Sequence, residues 1–570
     1  MDMKEILKQG IQTALEQTIK EGTLPAGEYP AVLLEVPPQK EFGDFSCNIA
    51  MQSARVARQN PRDIAEALVA HMNYDWLDRA EVAGAGFINF FLKSNLVYDS
   101  LRNILNAGEE YGKQELRPTD TVQVEYVSAN PTGPLHVGHG RGAAYGSALV
   151  NLLRAAGYNV QAEYYINDAG NQVDNLAISV EARYQELLGR PLVFSDAVTG
   201  NESADTVIFP ENGYRGADVI DTAKAIIADR GLDTLQAMTE PERIALFKEL
   251  ALPEKLRHLE ETLRDFNVVF DNWFSEKTLH DTDEIKFAVD ELKNLGAIYE
   301  KDGALWLKST DYGDDKDRVV IRENGVPTYL AADIAYHRNK YERGFKKMIN
   351  IWGADHHGYV ARVNAAISAF DFDPNKLTIL LLQMVALYRD GEYVTLSKRS
   401  GNTVTLDELI EEVGVDAARY FFLMRSLDSQ LDFDIDLAKS KSNDNPVYYI
   451  QYAHARIYSI FNQVREAGIS FGDWADVDFT PLTNEMELEL IKKLAEFPEE
   501  IVQAANHHAP HRITRYLYDL ASMFHSFYRQ GRIMGVDSDL QQARLGFVTA
   551  IAIVLHQGLS ILGISAPEKM

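Results

Sequence analysis

The chain has 570 residues, of which 46% are hydrophobic and 25% are charged. Such a length exceeds one ordinary domain, and the composition excludes a disordered chain. The single cysteine, Cys47, excludes an intramolecular disulfide and a zinc site built from thiolates. A formal net charge of −28 opposes broad contact with nucleic acid, so any such contact needs a local basic face. Residues 338–347 and 439–441 are the candidates for that face.

The sequence gives no sign of a membrane segment. No uninterrupted apolar run is long enough to cross a bilayer. Residues 1–5 begin an amphipathic helix and lack the pattern of a signal peptide. These features, with the single cysteine, predict a cytoplasmic protein without a membrane partner.

Residues 1–115 are predicted to form a separate α/β domain. A first helix is predicted from apolar residues at helical spacing, namely Ile6, Leu7, Ile11, Leu15 and Ile19. A strand is predicted over residues 31–36, before two prolines, and an alternating strand over residues 87–92.

Residues 116–410 are predicted to form a doubly wound α/β domain. Strands alternate with helices there, which is typical of a parallel sheet. The clearest predicted strands are residues 122–127, 160–166, 319–321, 348–352 and 377–382. Residues from about 190 to 300 break the alternation and are predicted to be an insertion between the two halves of this fold.

Residues 411–570 are predicted to form an α-helical bundle, because strand signals are few and apolar stripes recur at helical spacing. The predicted helices span residues 448–461, 485–505, 512–528 and 541–562.

The most informative motif is a pair of histidines, His136 and His139, three residues apart. A predicted strand runs through a turn rich in proline and glycine into a helix of small residues, at which the histidines lie. A helix N-terminus has unpaired N–H groups and binds phosphate, and imidazoles there can stabilise phosphoryl charge. Two other interpretations are a pair of zinc ligands on one helical face and two capping histidines without a function.

Residues 124–139, which contain this motif, resemble the signature of class I aminoacyl-tRNA synthetases in its arginyl-tRNA synthetase form. The resemblance implies a Rossmann-type parallel sheet between an N-terminal additional domain and an anticodon-binding bundle. It implies that arginine is activated with ATP and then transferred to the terminal ribose of its tRNA. His136 and His139 would stabilise the transition state, and Gly138 would leave room for adenine.

A second motif follows at residues 395–402, where a small-residue loop carries Ser397, Lys398 and Arg399. Lysine and hydroxyl groups suit the stabilisation of departing pyrophosphate, although a solvated surface loop is the plainer interpretation. The loop resembles the lysine-rich loop of class I synthetases, but only Ser397 and Lys398 match it. The resemblance implies that these two residues hold the β- and γ-phosphates.

A third motif, residues 352–359, is predicted to cap a strand at its carboxyl end, where nucleotides bind in parallel sheets. Its Asp-His-His run could also belong to a metal-dependent phosphoesterase, but no second cluster of such ligands accompanies it. By the resemblance, Gly353 and His356 contact ATP and Asp355 borders the amino-acid site.

Acidic groups are needed to bind a guanidinium, which pairs with carboxylates in a planar fork. Tyr329 and Asp333 are four residues apart on one predicted helical face. The resemblance implies that arginine is bound by Glu125, Ser128, Asn130, Tyr329, Asp333 and Asp355. If each residue is considered alone, Asp333 could instead be a carboxylate on the helix surface, and Tyr329 could be an aromatic residue of the core.

The flanking domains also resemble the family. Residues 41–46, which include Phe45, resemble the N-terminal domain that contacts the outer corner of the tRNA. Arg456, between Tyr452 and Tyr458, is the predicted anticodon contact, because most bundle tyrosines follow the apolar stripe. The resemblance further implies Mg²⁺ with the ATP, no zinc, no DNA partner and a monomer. It also implies that bound tRNA is needed before arginine is activated.

Two alternatives remain at this point. One is a different class I synthetase, such as the cysteinyl enzyme. This chain lacks the cysteines that bind zinc in that family, and Glu125 and Asp333 would then have no explanation. The best support for a non-catalytic paralogue that binds tRNA or a partner is the incomplete lysine loop, whereas the intact His136, His139 and Lys398 argue against it.

Overall fold

A computed structural model describes residues 3–37, 39–200, 202–394 and 404–570. The elements of the N-terminal domain are α1 (Met3–Lys20), β1 (Leu34–Glu35), β2 (Phe45–Cys47), α2 (Ile49–Ala57), α3 (Pro61–Ala70), β3 (Leu77–Ala83), β4 (Phe87–Leu92) and α4 (Ser94–Ala107). Helices α1 to α3 share one hydrophobic core with a four-stranded antiparallel sheet of order β1-β2-β4-β3, whereas α4 packs on helices of the C-terminal bundle. The apolar stripe of α1 is buried as expected at Leu7, Ile11 and Leu15.

The strands of the central domain are β5 (Arg117–Glu125), β6 (Tyr158–Ile166), β7 (Leu192–Phe194), β8 (Val207–Phe209), β9 (Asn272–Ser275), β10 (Ile298–Lys301), β11 (Ala304–Leu307), β12 (Arg318–Ile321), β13 (Lys347–Gly353) and β14 (Leu377–Leu382). Five of them form a parallel central sheet in the order β14-β13-β5-β6-β9, and the predicted parallel α/β fold is confirmed. The helices are α5 (Val137–Ala155), α6 (Asn171–Leu187), α7 (Ala217–Arg230), α8 (Leu232–Ala237), α9 (Glu240–Asp265), α10 (Glu276–Asp281), α11 (Glu284–Asn294), α12 (Tyr329–Glu342) and α13 (His357–Ala369).

Two segments of this domain differ from the prediction. Strand β12, expected in the parallel sheet, pairs antiparallel with β11 in a separate three-stranded sheet. Strand β9 lies within the predicted insertion, yet it pairs with β6 at the edge of the central sheet. Outside the central sheet, the predicted insertion contains the paired strands β7 and β8 and helices α7 to α11, and it ends in β10, the first strand of the three-stranded sheet.

Small residues allow α5 to pack closely against the first strand. A Cβ at Gly146 would lie 2.2 Å from the ring of Tyr126, and a Cβ at Gly140 would lie 2.8 Å from Leu406. Larger side chains at these positions would push the helix away from the sheet. The composition of this helix therefore fixes where its N-terminus lies.

The last part of the chain contains a small sheet, whose strands lie on both sides of residue 410, and then a helical bundle. Its elements are β15 (Val385–Arg389), β16 (Glu392–Tyr393), α14 (Leu406–Val413), α15 (Val415–Leu423), β17 (Leu431–Asp434), α16 (Ile435–Lys439), α17 (Pro446–Glu466), α18 (Glu485–Ala495), α19 (Phe497–Asn506), α20 (His511–Gln530) and α21 (Ser538–Ile561). The single helix predicted over residues 485–505 is divided into α18 and α19, because Pro498 lacks an N–H and begins a new helix.

Helix α21 is the one described helix whose length and composition would allow it to cross a membrane, although polar residues interrupt its apolar sequence. About 72% of its most apolar stretch is buried inside the protein. That burial is typical of a core helix in a bundle.

Two buried arginines connect the central helix α5 to the C-terminal elements. Arg141 donates to the carbonyl oxygens of Gln383, Ser426 and Ser429 at 2.8–2.9 Å. Arg419 donates to the Leu562 and Phe266 carbonyls and to the Ser147 hydroxyl. Burial lowers the pKa of each guanidinium to about 10. These contacts hold the start of α5 in a fixed position.

Candidate active site

The two histidines cap α5 with one nitrogen each. His136 Nδ1 accepts the Gly138 N–H at 3.1 Å, and His139 Nδ1 accepts the His136 N–H at 3.3 Å. The two rings stack with their centroids 3.7 Å apart. Because each Nδ1 is an acceptor, the proton of each neutral ring lies on Nε2. Each histidine can therefore cap α5 through Nδ1 and, at the same time, donate a hydrogen bond to a ligand from Nε2.

Gly138 is required by this cap. A Cβ there would lie 2.9 Å from Cε1 of His136, closer than ordinary packing allows. A side chain at position 138 would therefore displace the His136 ring.

The segment after residue 403 pairs with the histidine motif. The Leu406 N–H donates to the Leu135 carbonyl at 2.8 Å, and the Val137 N–H donates to the Val404 carbonyl at 3.4 Å. Ser397 and Lys398 lie outside the described residues. Their segment joins Val394 to Val404, and Val404 is anchored beside His136.

Gly353, Asp355 and His356 lie at the carboxyl end of β13, the strand next to β5. A Cβ at Gly353 would lie 2.4 Å from Asp355 Oδ1, so a larger residue there would require the exposed Asp355 side chain to move. Asp355 and His356 are exposed, and His356 Nε2 lies 3.7 Å from Asp355 Oδ2. This edge of the sheet is where nucleotides bind in parallel α/β folds.

Glu125 ends β5 in a buried position, where it has two partners. Lys340 Nζ lies 2.5 Å from Glu125 Oε2, and the Ser128 hydroxyl donates to Oε1 at 3.1 Å. Ser128 Oγ also accepts the Tyr165 N–H at 3.1 Å. Val127 and Ser128 have left-handed φ values of 68° and 39°, which non-glycine residues rarely adopt. Such strain is typical of turns at functional sites.

Asp333 lies one helical turn after Tyr329 and contacts a second tyrosine. The Tyr359 hydroxyl donates a short hydrogen bond to Asp333 Oδ2. Burial raises the pKa of Asp333 to about 7, although the Tyr359 hydroxyl opposes the rise. Tyr329 itself is 57% exposed, and Asn130 is exposed in the turn before the histidines. The alternative that Asp333 is a plain surface carboxylate is wrong, and so is the alternative that Tyr329 is a core aromatic.

The basic run at residues 338–347 is mostly paired with acidic side chains, so the prediction of a basic face there is wrong. Arg338 contacts three glutamates, Glu284, Glu291 and Glu342. Lys340 is fully buried against Glu125 and also donates to Asn350 Oδ1 at 2.8 Å.

Glu163, on β6, anchors a buried ionic cluster behind the pocket. Arg343 donates to both of its oxygens, at 2.5 and 2.8 Å, and the Tyr336 hydroxyl donates at 2.7 Å. Burial alone would raise the pKa of Glu163, but these partners lower it to about 2. The carboxylate therefore stays charged, and the cluster fixes α12 against the sheet.

Three residues of this site were missed from the sequence: Lys340, Tyr359 and Glu276. Tyr359 is the last residue of the third motif, but no role was predicted for it. Glu276 is the first residue after β9, at the same sheet edge, but that strand was assigned to the insertion. Lys340 had no local signal, since only the fold brings it to Glu125.

Comparison with known families decides the class of the chain. Residues 100–424 match the family described as tRNA synthetases class I (R), catalytic domain. Residues 5–92 match the arginyl tRNA synthetase N terminal domain, and residues 450–570 match the DALR anticodon binding domain. The chain belongs to the arginyl-tRNA synthetase family. It is therefore an ATP-using aminoacyl-tRNA ligase, and the resemblance stated above is confirmed.

Relatives of this synthetase match it over nearly their whole length. An arginine–tRNA ligase from Carboxydothermus hydrogenoformans is 51% identical over 553 residues, which cover 97% of this chain and 96% of that one. The solved structure of an arginyl-tRNA synthetase from Campylobacter jejuni is 36% identical with a TM-score of 0.76, covering 84% of this chain and 100% of that one. The Thermus thermophilus arginyl-tRNA synthetase, 23% identical and covering 100% of both chains, shares the fold with a TM-score of 0.73. A different class I synthetase is not supported.

In the synthetase bundle, Arg456 lies between two tyrosine rings. Its guanidinium is 4.4 Å from the centroid of Tyr452 and 4.6 Å from that of Tyr528. It also donates to the Tyr452 hydroxyl at 2.9 Å and faces His525 Nδ1 at 3.2 Å. These side chains line a cleft of about 440 Å³.

In the N-terminal domain, Phe45 is in the hydrophobic core and is 4% exposed. A ring buried in this way cannot stack on a nucleotide, so the expectation that Phe45 contacts tRNA is wrong. Phe42, three residues earlier, is 41% exposed and is the aromatic that this segment presents to solvent.

Proposed function

We propose that this chain is an arginine–tRNA ligase that forms arginyl-adenylate from L-arginine and ATP, releases pyrophosphate and transfers arginine to the 3′-terminal ribose of its tRNA. One observation carries the proposal: the acidic pocket at Glu125 and Asp333 lies at the end of the strand that leads into the histidine cap of α5. A guanidinium site and a phosphate site are thus joined by one short turn, residues 126–136. That arrangement suits a substrate with a cationic side chain and a carboxylate that attacks phosphorus.

Arginine is held by Glu125, Ser128, Asn130, Tyr329, Asp333 and Asp355 in this proposal. The strongest support concerns Glu125 and Asp333, because buried carboxylates favour a permanently charged guanidinium over neutral side chains. Ser128 supports Glu125 by donating to its second oxygen. Asn130, Tyr329 and Asp355 are exposed and would complete the site at its rim.

ATP lies across the start of α5, with its adenosine near Gly138, Gly353 and His356. His136 and His139 donate from Nε2 to the phosphoryl oxygens as charge develops, while Ser397 and Lys398 hold the β- and γ-phosphates. Support for the last two is the anchoring of Val404 beside His136. Positioning and charge stabilisation drive such a reaction, so no general base is needed. Mg²⁺ enters with the nucleotide phosphates, and the chemistry uses no zinc.

The tRNA specific for arginine is the second substrate. Arg456 and the tyrosines around it offer a stacking site for an unstacked anticodon base. The N-terminal domain contacts the tRNA corner. We keep the domain limits of 1–115, 116–410 and 411–570, and we propose a cytoplasmic monomer with no DNA or membrane partner.

Aminoacylation with labelled amino acids tests this function directly. Purified protein, ATP, Mg²⁺ and total tRNA should attach arginine, and none of the other amino acids, to acid-precipitable tRNA. Arginine binding without any charging would instead support the non-catalytic paralogue.

A further inference from the structure

A chain of hydrogen-bonded side chains is buried beneath the proposed arginine pocket. Lys340 Nζ lies 2.5 Å from Glu125 Oε2 and donates to Asn350 Oδ1 at 2.8 Å. Asn350 Nδ2 lies 2.9 Å from His337 Nε2, and His337 Nδ1 lies 2.8 Å from the carbonyl oxygen of Asp333. Lys340 and Asn350 are fully buried and His337 is 4% exposed, so these bonds are shielded from water.

Only one direction of hydrogen bonding fits this chain. An ammonium can only donate, so the amide atom that faces Lys340 is the oxygen, and the amide nitrogen of Asn350 faces His337. A carbonyl can only accept, so His337 has its proton on Nδ1 and accepts from Asn350 at Nε2. The ammonium at one end and the carbonyl at the other therefore require the same orientation of Asn350.

His337 must be neutral to accept this bond. Burial and the charge of Lys340 lower the pKa of His337 to about 3, although the bond to the Asp333 carbonyl opposes this change. The ring also meets Tyr336 and Trp352 edge to face, with centroid distances of 5.6 and 6.2 Å. The imidazole is therefore held both in its position and in its neutral form.

The Lys340 ammonium has three partners for its three N–H groups. They are the Glu125 carboxylate, the Asn350 amide oxygen and the Tyr336 ring, whose centroid lies 4.4 Å from Nζ. Without the amide oxygen, one N–H of a buried cation would have no acceptor, which is unfavourable. Asn350 therefore fixes the direction from which Lys340 approaches Glu125.

The chain connects the two carboxylate residues of the proposed arginine pocket. It begins at the backbone of Asp333 on α12, crosses β13 at Asn350 and ends on the Glu125 carboxylate at the end of β5. A guanidinium is planar and meets its acceptors in a fixed fork geometry. The position of one carboxylate relative to the other should therefore affect how well arginine binds.

We propose that Asn350 and His337 are positioning residues for arginine, which act through Lys340 to hold the Glu125 carboxylate in the orientation that receives the guanidinium. The inference rests on the proposed function, because it concerns the arginine site of that reaction. Neither residue contacts the substrate, since both are buried beneath the pocket. ATP lies at the start of α5 in our proposal, so loss of the chain should weaken the binding of arginine much more than that of ATP.

A buried amide with a purely structural role is the matched control. Gln451, in α17, is 7% exposed, and its amide donates to Asp416 and to the carbonyl and hydroxyl oxygens of Ser565. None of these residues belongs to the proposed arginine pocket. Gln451→Met should therefore lower the Tm and leave the KM for arginine unchanged.

Asn350→Leu and Asn350→Asp separate positioning from stability in arginine-dependent ATP–pyrophosphate exchange with tRNA present. Leucine has the shape of asparagine without its polar atoms, and we expect Asn350→Leu to raise the KM for arginine about 10- to 100-fold, the range for a lost bond to a charged group. The KM for ATP should change less than about threefold. Aspartate can still accept from Lys340, and its second oxygen can accept from a doubly protonated His337. Asn350→Asp should therefore keep the KM for arginine within about threefold of the unsubstituted value.

NMR of protein with nitrogen-labelled histidine gives a result that depends on neither stability nor catalysis. Comparison with His337→Gln identifies the His337 signals. At neutral pH we expect one protonated and one unprotonated ring nitrogen in the unsubstituted protein, and two protonated nitrogens in Asn350→Asp, because an adjacent carboxylate favours the imidazolium. An unprotonated Nε2 in Asn350→Asp would contradict the direction of the chain and overturn the proposal.

The kinetic outcomes decide the role of the chain. An unchanged KM for arginine in Asn350→Leu, with only a lowered Tm, overturns the proposal, since that is the result expected for Gln451→Met. Equal increases in the KM for arginine and for ATP also overturn it, because they indicate general disruption of the site.

His337→Leu replaces this test if Asn350→Leu does not fold. It leaves the bond between Lys340 and Asn350 intact, and we expect it to raise the KM for arginine about three- to tenfold with the KM for ATP unchanged. An unchanged KM for arginine in this variant overturns the proposal in the same way. Absence of exchange in the unsubstituted protein would instead contradict the proposed function, whereas the NMR result would still test the chain.

Discussion

Lys340 Nζ lies 2.5 Å from Glu125 Oε2, and both side chains are buried beneath the proposed arginine pocket. Burial lowers the pKa of Lys340, while Glu125 opposes that change. Removing one partner of such a pair leaves an uncompensated buried charge. We therefore expect Lys340→Met to lower the free energy of unfolding by about 3–5 kcal/mol, measured by urea denaturation.

Lys255→Met is the control for this prediction. Lys255 is also buried and pairs with Asp218 at 2.6 Å, but the Asp218 side chain is 25% exposed and can regain water. A smaller loss of stability is expected there. Equal losses in both variants would contradict the view that Glu125 is held charged mainly by Lys340.

Arginine binding should depend on pH through Asp333, whose pKa burial raises from 3.8 to about 7. Below pH 7 the group is protonated in the free protein and accepts no guanidinium, so the Kd for arginine should fall about tenfold per unit as pH rises towards 7. Above this range the Kd should level off. Glu276, Glu125 and Lys340 face the same group. Because the folded pKa is raised, this group's contribution to stability decreases as pH rises from 3.8 to 7.

Tyr359→Phe tests whether Asp333 is the group responsible for the pH dependence of arginine binding. The Tyr359 hydroxyl lowers the pKa of Asp333, so its removal should move the midpoint to higher pH. Calorimetric titration of arginine at several pH values measures the shift. A midpoint that does not move would mean that another group titrates.

Two substitutions should distinguish the roles of the two ring nitrogens of His139. An asparagine amide approximates Nδ1, which caps α5, whereas a glutamine amide approximates Nε2, which points to the phosphate site in our proposal. We expect His139→Gln to keep more activity than His139→Asn. Loss of the Nε2 donor should lower kcat for pyrophosphate exchange about 10²- to 10³-fold. The reverse order of the two variants would assign His139 to capping alone.

Much of the fold and part of the site could be predicted from the sequence, since their signals are local. The strand, turn and small-residue helix around His136 lie within one segment, so their arrangement, on which the proposed phosphate site rests, could be predicted. The apolar stripe of α1 likewise predicted its buried face at Leu7 and Ile11.

The remainder depends on contacts between distant segments. Lys340 and Glu125 are 215 residues apart, so nothing local revealed their pairing. Phe45 was expected at a tRNA surface, but the way β2 packs buries its ring. Strand β9 is short and follows a long helical segment, so its pairing at the sheet edge, and the placement of Glu276, were not evident.

Arg456 should contribute to tRNA binding and to no other step. Arg456→Ala removes the guanidinium between Tyr452 and Tyr528, and we expect the KM for tRNA to rise about tenfold or more. Aminoacylation kinetics should show unchanged KM values for arginine and ATP. Arg465→Ala, an exposed arginine on the same helix, is the control. Equal effects of both substitutions would indicate general loss of positive charge.

The most direct measurement of the central claim is ATP–pyrophosphate exchange with and without arginine and with and without total tRNA. We predict exchange only when arginine and tRNA are both present, as expected for an arginyl-tRNA synthetase that needs tRNA for activation. Exchange with arginine alone would contradict the requirement for tRNA, but it would still agree with the assignment of the chain as an arginine–tRNA ligase. No exchange under any condition, with arginine still bound, would contradict the claim that this chain is an arginine–tRNA ligase.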